Sequence, residues 1–276
     1  MKLDLKYLKK KYIKNFQNDE ALCEFIMTDV IFGFSEIYDV VKKKESIKSI
    51  LEIGSGTGIL LNELKTFLPH ISFKGIDPNE SGFHKYKKIY ESLDQGPEVK
   101  NIQVENYISD EKFDLVFSIN VFEHVKDWRK YIEQTSKLLK KNGSNIILGP
   151  NYDFPYEPHF VIPIIINKEI TKFFFKNKIK KDEIKTDEKG LWDGLNLAGL
   201  KQIKKHLKIK NYSFTSDYLI KDRILDRISN DKEFKRRQGI AAYITILAKF
   251  IFLDKLIFNF FKIPFPYMKL IISKKN

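Results

Sequence analysis

Short apolar runs alternate with amphipathic stretches through the middle of the chain. Five of these runs have the length and the β-branched or aromatic content of buried strands. They are Ser49–Ile53, Ile71–Ile76, Val99–Val104, Phe113–Ile119 and Ser144–Leu148. The stretches between them have helical spacing, and strand–helix alternation of this kind predicts an α/β fold, doubly wound around a mostly parallel sheet.

Helical patterns fill much of the remaining sequence. Residues 3–44 have helical spacing and no proline, and they predict a helical cap ahead of the sheet. The clearest apolar stripe among the strand candidates stops at Asn142-Gly143, because this pair favours the end of a helix. The stripe consists of Trp128, Tyr131, Ile132, Leu138 and Leu139.

The pattern changes after Pro150. Residues 151–163 form an irregular stretch rich in proline and aromatic side chains, and lysine-rich helical segments follow to about residue 207. Two late strand candidates, Ile209–Phe214 and Lys269–Ser273, bracket a long apolar segment at Ile240–Phe261. The second half is therefore expected to be more helical than the first.

Three glycines at alternate positions follow the first strand candidate. Residues 50–60 read Ile-Leu-Glu-Ile-Gly-Ser-Gly-Thr-Gly-Ile-Leu, a strand that ends in a glycine-rich turn and opens into a helix. Glycine suits this turn because it adopts positive φ readily and lets a bound nucleoside lie against the backbone. The spacing does not fit a dehydrogenase's dinucleotide site, whose last glycine or alanine is replaced by Ile59, and the sequence has no Gly-Lys-Ser/Thr phosphate loop.

Glu52 precedes the first of these glycines by two residues. Its carboxylate would repel the phosphates of a dinucleotide, but it would attract the ammonium group of an amino-acid ligand. The loop therefore favours a cationic ligand.

The segment Glu52–Gly58 resembles the first motif of the class I S-adenosylmethionine-dependent methyltransferases. Phe73–Asp77 resembles their second motif, and Phe113–Val125 resembles the fourth strand and following loop of the branch that acts on small molecules. The resemblance covers residues 48–163. It implies S-adenosylmethionine as cofactor and a Rossmann-like, seven-stranded sheet that the two late strands complete.

The resemblance also suggests how the chain is divided. Residues 1–47 are expected to form an N-terminal helical cap, and residues 48–276 the methyltransferase domain. Within that domain we expect a cofactor-binding half at 48–150, an acceptor loop with helical insertions at 151–268, and a last strand with a tail at 269–276.

The site residues that the resemblance implies surround the cofactor. The glycine loop would wrap its methionine and ribose parts, and Asp77 would accept the ribose hydroxyls, with a helix N-cap as the alternative role. Glu105 or Asn106 would read the adenine amino group, and Asn120 is either a contact or a turn former. The cofactor-binding set is Glu52, Gly54, Ser55, Gly56, Gly58, Asp77, Glu105, Asn106 and Asn120.

Two histidines are candidates for proton removal from an acceptor. His124 follows the fourth strand candidate, and His159 lies in the aromatic stretch after the fifth. Each has a structural role as its alternative, and neighbouring Glu123 is either a second carboxylate behind the site or a helix cap. The Asn/Asp-Pro-Pro-Tyr/Phe motif of exocyclic nitrogen methylation is missing, so O-methylation is favoured, with nitrogen and carbon acceptors open. No metal is expected.

Charge and cysteine content bear on partners and compartment. The net charge is +13, nearly all from lysine, whereas specific nucleic-acid recognition favours arginine, so nucleic acid is an unlikely partner. Cys23 is the single cysteine and fits an apolar helical pattern. The first residues lack an apolar signal region, so a cytoplasmic location is expected.

The apolar segment 240–261 is interrupted by four polar residues, which disfavours a transmembrane helix. Its helical projection predicts an amphipathic helix that docks on an anionic membrane surface or lines access for a lipid-linked acceptor. The alternative is that its apolar face packs on the domain's own core or on a second subunit. The acceptor is therefore expected to be a small molecule, a glycan or a lipid-linked molecule. The rival function is a non-catalytic, basic RNA-binding or scaffold protein that keeps the nucleotide-binding fold.

Overall fold

The computed structural model describes residues 3–78, 84–94, 96–250 and 263–273. Its main sheet has seven strands: β1 (Ser49–Ile53), β2 (Ser72–Ile76), β3 (Glu98–Lys100), β4 (Phe113–Ile119), β5 (Leu139–Pro150), β8 (Ser213–Ser216) and β9 (Tyr267–Ser273). The strand order is β3-β2-β1-β4-β5-β9-β8. A two-stranded hairpin lies outside this sheet and consists of β6 (Tyr156–Glu157) and β7 (Ile162–Pro163).

Eleven α-helices lie within the described residues. They are α1 (Leu5–Tyr12), α2 (Glu20–Lys43), α3 (Ile59–Phe67), α4 (His84–Glu91), α5 (Trp128–Lys137), α6 (Lys168–Thr186), α7 (Leu191–Gly194), α8 (Leu200–Ile209), α9 (Ile220–Asn230), α10 (Lys232–Gln238) and α11 (Ile240–Phe250). Three short 3-10 helices occur at Ile13–Phe16, Val104–Asn106 and Phe122–His124. The mostly parallel seven-stranded sheet with flanking helices confirms the predicted fold class.

The chain divides into two compact units. Among the described residues, the first consists of those up to Ile119 together with Lys130–Ile146, and the second of Asn120–Arg129 and those from Ile147 onward. The domain boundaries expected from the sequence, 1–47 and 48–276, stay a prediction.

The first unit contains the parallel core of the sheet. Every residue of β1 is buried, as expected for a continuous apolar strand with neighbours on both sides. β1 pairs in parallel with β2 and with β4, and β2 pairs in parallel with β3. Helix α2 comes close to α3 at Gly33, where a Cβ would meet the Leu60 side chain at 2.9 Å, so the N-terminal helices pack on this core.

The second unit carries the antiparallel edge and most of the insertions. β8 pairs antiparallel with β9, which confirms that the chain adds two late strands to the sheet. Phe160 and Trp192 pack edge to face with ring centroids 5.6 Å apart, at the centre of a buried cluster. This cluster fixes the hairpin β6–β7 against α6 and α7.

Three predicted strand boundaries are wrong by more than two residues. The helix α5 ends at Lys137, and β5 begins at Leu139 instead of Ser144. Leu138 and Leu139 fit both a helical stripe and a strand, and the Phe113 backbone N–H at the start of β4 donates to the Leu138 carbonyl at 2.8 Å, which ties this segment to the sheet.

The other two errors have similar causes. β3 spans only Glu98–Lys100, because the predicted strand ends in the 3-10 helix that begins at Val104. Helix α8 continues through Ile209, so the late strand starts at Ser213. Ile203 and Leu207 are buried four residues apart whereas Ile209 is 71% exposed, and helical burial therefore outweighs the strand-like run at 209–214.

Helix α11 covers the first half of the predicted amphipathic helix 240–261, and residues 251–262 lie outside the described residues. Within the described part of the chain, no helix has both the length and the apolarity that crossing a membrane requires.

Candidate functional site

The glycine loop, residues 52–58, follows β1 in the first unit. Gly54, Gly56 and Gly58 have φ values of +74°, +52° and +69°, a region that residues with a Cβ enter only with strain. The backbone N–H of Gly54 donates to the Ile76 carbonyl at 2.8 Å, which ties the loop to the end of β2. The alternating glycines therefore occupy positions where the backbone requires positive φ, as the sequence suggested.

Asp77 lies directly beneath this loop. One of its carboxylate oxygens, Oδ2, accepts the backbone N–H of Gly56 at 2.8 Å. The residue that resembles the ribose-binding acid therefore also holds the loop in shape.

Glu52 is the buried carboxyl group beside the glycine loop. Its side chain is 4% exposed, and its Oε2 has no hydrogen-bond partner among the described residues. Burial, reinforced by the negative charge of Asp77, raises the pKa of Glu52 well above its usual range. An orphaned acidic oxygen beside a glycine-rich backbone loop fits a nucleoside ligand that carries a cationic amino-acid group.

The remaining residues of the predicted cofactor set have varied environments. Ser55 is buried, and its hydroxyl donates to the Glu52 carbonyl. Glu105 and Asn106 end the 3-10 helix after β3, where the Asn106 amide donates to Gln103. Their role toward adenine stays a prediction.

Asn120, in the second unit, follows β4. It has a φ of +53°, and its side-chain oxygen accepts the Tyr267 hydroxyl at 2.9 Å. Asn120 thus forms a left-handed turn at the end of the strand, and its role as a cofactor contact also stays a prediction.

His159 lies at the tip of the hairpin β6–β7 in the second unit. Its Nδ1 is 2.6 Å from Glu157 Oε1, and Glu157 Oε2 accepts the backbone N–H of Phe160 at 2.9 Å. Tyr152 donates its hydroxyl to the same Glu157 carboxylate. Because Glu157 is fully buried, this carboxylate fixes the imidazole ring at Nδ1, and Nε2 is the ring nitrogen that faces away from Glu157.

Glu123 and His124 lie on the 3-10 helix that follows β4, also in the second unit. The Asn196 amide donates to the carbonyls of Phe122 and Val125, at 2.6 and 3.0 Å, and so fixes this turn. Gly149 leaves room for the Glu123 carboxylate, since a Cβ there would lie 3.1 Å from Oε2.

The two predicted histidines are brought together around Glu123, and we call Glu123, His124 and His159 the Glu–His cluster. Glu123 Oε1 lies 3.8 Å from His124 Nε2 and 4.0 Å from His159 Nε2. The two imidazole rings meet edge to face with centroids 5.0 Å apart. Both carboxylate oxygens of Glu123 are buried without a hydrogen-bond partner among the described residues.

The charges of the Glu–His cluster are strongly coupled. Burial raises the pKa of Glu123 to about 7, although the nearby His159 opposes this shift. Burial and the charge of His159 lower the pKa of His124 to about 3. Loss of hydration disfavours the His159 cation, but Glu157 and Glu123 outweigh it and raise the pKa of His159 to about 9.

Three supporting residues were missed by the sequence reasoning. Glu157 stands two residues before His159, a spacing that could have indicated a carboxylate–histidine pair. Asn196 and Gly149 act from distant parts of the sequence, and no local pattern marks them.

Comparison with known proteins places this geometry in a family. Residues 31–193 match the family described as methyltransferase domain. An uncharacterized protein of Mycobacterium tuberculosis is 31% identical over 209 residues, which cover 73% of this chain and 70% of that protein. A ubiquinone biosynthesis O-methyltransferase of Bradyrhizobium diazoefficiens is 24% identical over 147 residues, or 47% of this chain and 57% of that protein.

Solved structures show the same fold. The plantazolicin methyltransferase BpumL, crystallised with a monoazolic desmethylPZN analog and SAH, has a TM-score of 0.53 to this chain. The match covers 99% of this chain and 98% of that one at 14% sequence identity. The family match extends over more than half of the chain, so this protein belongs to the methyltransferase domain family and is a class I methyltransferase with S-adenosylmethionine as its cofactor.

Proposed function

We propose that this methyltransferase transfers its methyl group to the oxygen of a hydroxyl acceptor, and that the Glu–His cluster supports removal of the hydroxyl proton. The observation that carries this proposal is the His159 imidazole, held at Nδ1 by Glu157 and facing Glu123 with Nε2. A methyltransferase of a more acidic or more nucleophilic group would have less use for such a pair.

The cofactor supplies an electrophilic methyl group when it is bound. What the protein must add is the alignment of the acceptor and a means of taking its proton. Glu157 holds the His159 ring in one orientation, as the carboxylate of a catalytic dyad does. His124, with its low pKa, is the neutral imidazole of the Glu–His cluster at physiological pH.

In this proposal the cofactor is held by the set that the sequence suggested. Glu52 meets the ammonium group of the methionine part, and Asp77 accepts the ribose hydroxyls. Glu105 or Asn106 reads the adenine, and Asn120 is a further contact. The orphaned Glu52 oxygen and the positive φ angles of the glycine loop support these roles.

Two of the similar proteins support a small organic molecule as the acceptor. A ubiquinone biosynthesis O-methyltransferase is among the relatives, and BpumL was crystallised with desmethylPZN analogs. Both favour a small organic acceptor over nucleic acid. A glycan or a lipid-linked molecule would present the same hydroxyl chemistry.

A cytoplasmic location and a membrane-surface role for residues 240–261 belong to this proposal. On helix α11, Tyr243 and Leu247 are 65% and 61% exposed and lie four residues apart, hence on one side of the helix. These exposed apolar side chains on a chain of net charge +13 suit contact with an anionic surface.

The experiment that tests the proposed function is an acceptor screen by mass spectrometry. The wild-type protein, S-adenosylmethionine with an isotopically labelled methyl group and a library of hydroxyl, amine and carbon acceptors are incubated together. We expect a labelled methyl group on a hydroxyl oxygen, located by fragmentation. Label on nitrogen or carbon alone would contradict the proposal, and Asp77→Ala controls for transfer that does not use this cofactor site.

A further inference from the structure

The Glu–His cluster has the composition of a metal site as well as that of a proton-transfer site. One ligand atom from each of Glu123, His124 and His159 can be chosen so that all three lie within 4.8 Å of one another. We propose that these three side chains bind one divalent transition-metal cation.

The strongest support is the state of Glu123. This side chain is 2% exposed, and neither of its carboxylate oxygens has a hydrogen-bond partner among the described residues. A buried carboxylate without a hydrogen-bond donor loses its hydration, and the imidazole of His159 at 4.0 Å compensates only part of that loss. A cation bound at Oε1 would compensate it, and two imidazole nitrogens already lie around that oxygen.

The surroundings of the Glu–His cluster resemble the outer shell of known metal sites. A histidine that binds a metal usually donates its other ring N–H to a carboxylate, which fixes the tautomer and the ring. For His159 the carboxylate is Glu157, whose Oε1 lies 2.6 Å from Nδ1. Asn196 fixes the turn that carries Glu123 and His124 through two carbonyls.

The donor atoms select the cation. Two imidazole nitrogens and one carboxylate oxygen suit Zn²⁺ and its first-row neighbours, whereas Mg²⁺ prefers oxygen ligands alone. Zinc ligands at about 2.0–2.2 Å from the metal stand roughly 3.3 Å apart in a tetrahedron. The two separations from Glu123 Oε1, 3.8 and 4.0 Å, exceed this spacing by less than about an ångström. The separation between the two imidazole nitrogens is at most 4.8 Å, so it exceeds this spacing by no more than about 1.5 Å.

Three protein ligands leave at least one coordination position for an exogenous oxygen. This part of the inference rests on the proposed function. An acceptor hydroxyl bound to the cation loses its proton to solvent more readily, because the cation stabilises the alkoxide or phenolate. The oxygen then forms its bond to the methyl carbon as the sulfur–methyl bond breaks, and the sulfur keeps the electron pair of that bond. His159 then acts as a ligand to the cation and does not itself take the proton.

The test is a titration of the untagged, chelator-treated protein with Zn²⁺ by calorimetry and with Co²⁺ by visible absorption. We expect one cation per chain, a higher melting temperature with Zn²⁺, and no comparable effect of Mg²⁺. Glu123→Gln and His159→Gln should each weaken Zn²⁺ binding at least about tenfold, and Glu157→Gln about 10–100-fold. His70→Gln, an exposed histidine of the other unit, is the matched control and should bind as the wild type does.

Absence of saturable Zn²⁺ binding, or binding that is unchanged in both Glu123→Gln and His159→Gln, would overturn the inference. If Glu123→Gln fails to fold by circular dichroism, the more exposed His159 gives the decisive variant. The titration contains neither cofactor nor acceptor, so its outcome is separate from the proposed function. Zn²⁺ binding without methyl transfer to oxygen would remove the proposed function only, and transfer without Zn²⁺ binding would remove the cation site only.

Discussion

In the glycine loop the backbone itself forms the site, whereas in the Glu–His cluster side chains from separate parts of the sequence do so. The glycine loop needs positive φ at three alternating positions. It also has two carboxyl groups beside it: Glu52 precedes its first glycine, and Asp77 accepts the backbone N–H of Gly56. The Glu–His cluster needs a turn after β4, a hairpin after β5 and the Asn196 amide.

This difference shows which sites a single sequence can reveal. Backbone conformation is encoded locally, because glycine is the residue that enters the left-handed region without strain. Side-chain proximity is encoded by the whole fold, so its members are recognised only after folding brings them together. This difference also predicts that a substitution can impair the glycine loop without affecting the Glu–His cluster, and the reverse.

The largest effect is expected at the Glu–His cluster. His159→Gln should lower turnover by a factor on the order of 10²–10⁴ with the acceptor found by the screen, because the Glu–His cluster then lacks the imidazole that faces Glu123. The affinity for S-adenosylhomocysteine should stay near that of the wild type. Steady-state kinetics measures the turnover, and calorimetric titration measures the affinity. Circular dichroism checks that the variant is folded, and His70→Gln is the control. Turnover close to wild type in a folded His159→Gln protein would show that the cluster takes no part in the reaction.

A smaller effect is expected at Asn196, which holds the Glu–His cluster without belonging to it. Asn196→Ala removes the donors to the Phe122 and Val125 carbonyls and should lower the free energy of unfolding by about 1–3 kcal/mol. Urea denaturation measures this change, and the exposed Asn230→Ala is the matched control. Equal stability of the two variants would mean that the turn after β4 is fixed by other contacts.

Much of the fold could be predicted from the pattern of apolar residues. Strands β1 and β4 have the bounds that the sequence suggested, because a continuous apolar run with turn residues on both sides defines the two ends of a strand. The errors lie where one run fits two structures. Leu138 and Leu139 fit a helix or a strand. Ile209 fits the start of a strand, but it is the last residue of helix α8.

The site was predictable to a different degree in its two parts. The glycines and Asp77 could be singled out from their spacing after strands, and the structure joins them by a hydrogen bond. The histidines His124 and His159 could be named as candidates, but their meeting around Glu123 depends on the hairpin β6–β7, which the sequence presented as an irregular stretch. Glu157, Gly149 and Asn196 gain their roles only from contacts within the fold.

Calorimetric titration of S-adenosylhomocysteine into matched glycine and histidine variants tests most directly whether the glycine loop binds the cofactor independently of the Glu–His cluster. Gly56→Val should weaken binding about tenfold or more, because a branched side chain at a φ of +52° strains the loop by about 1–2 kcal/mol or more. His159→Gln should bind like the wild type, as should Gly194→Val, whose position is open and has no positive φ. Equal loss of affinity in Gly56→Val and His159→Gln, or no binding by the wild type, would contradict the account.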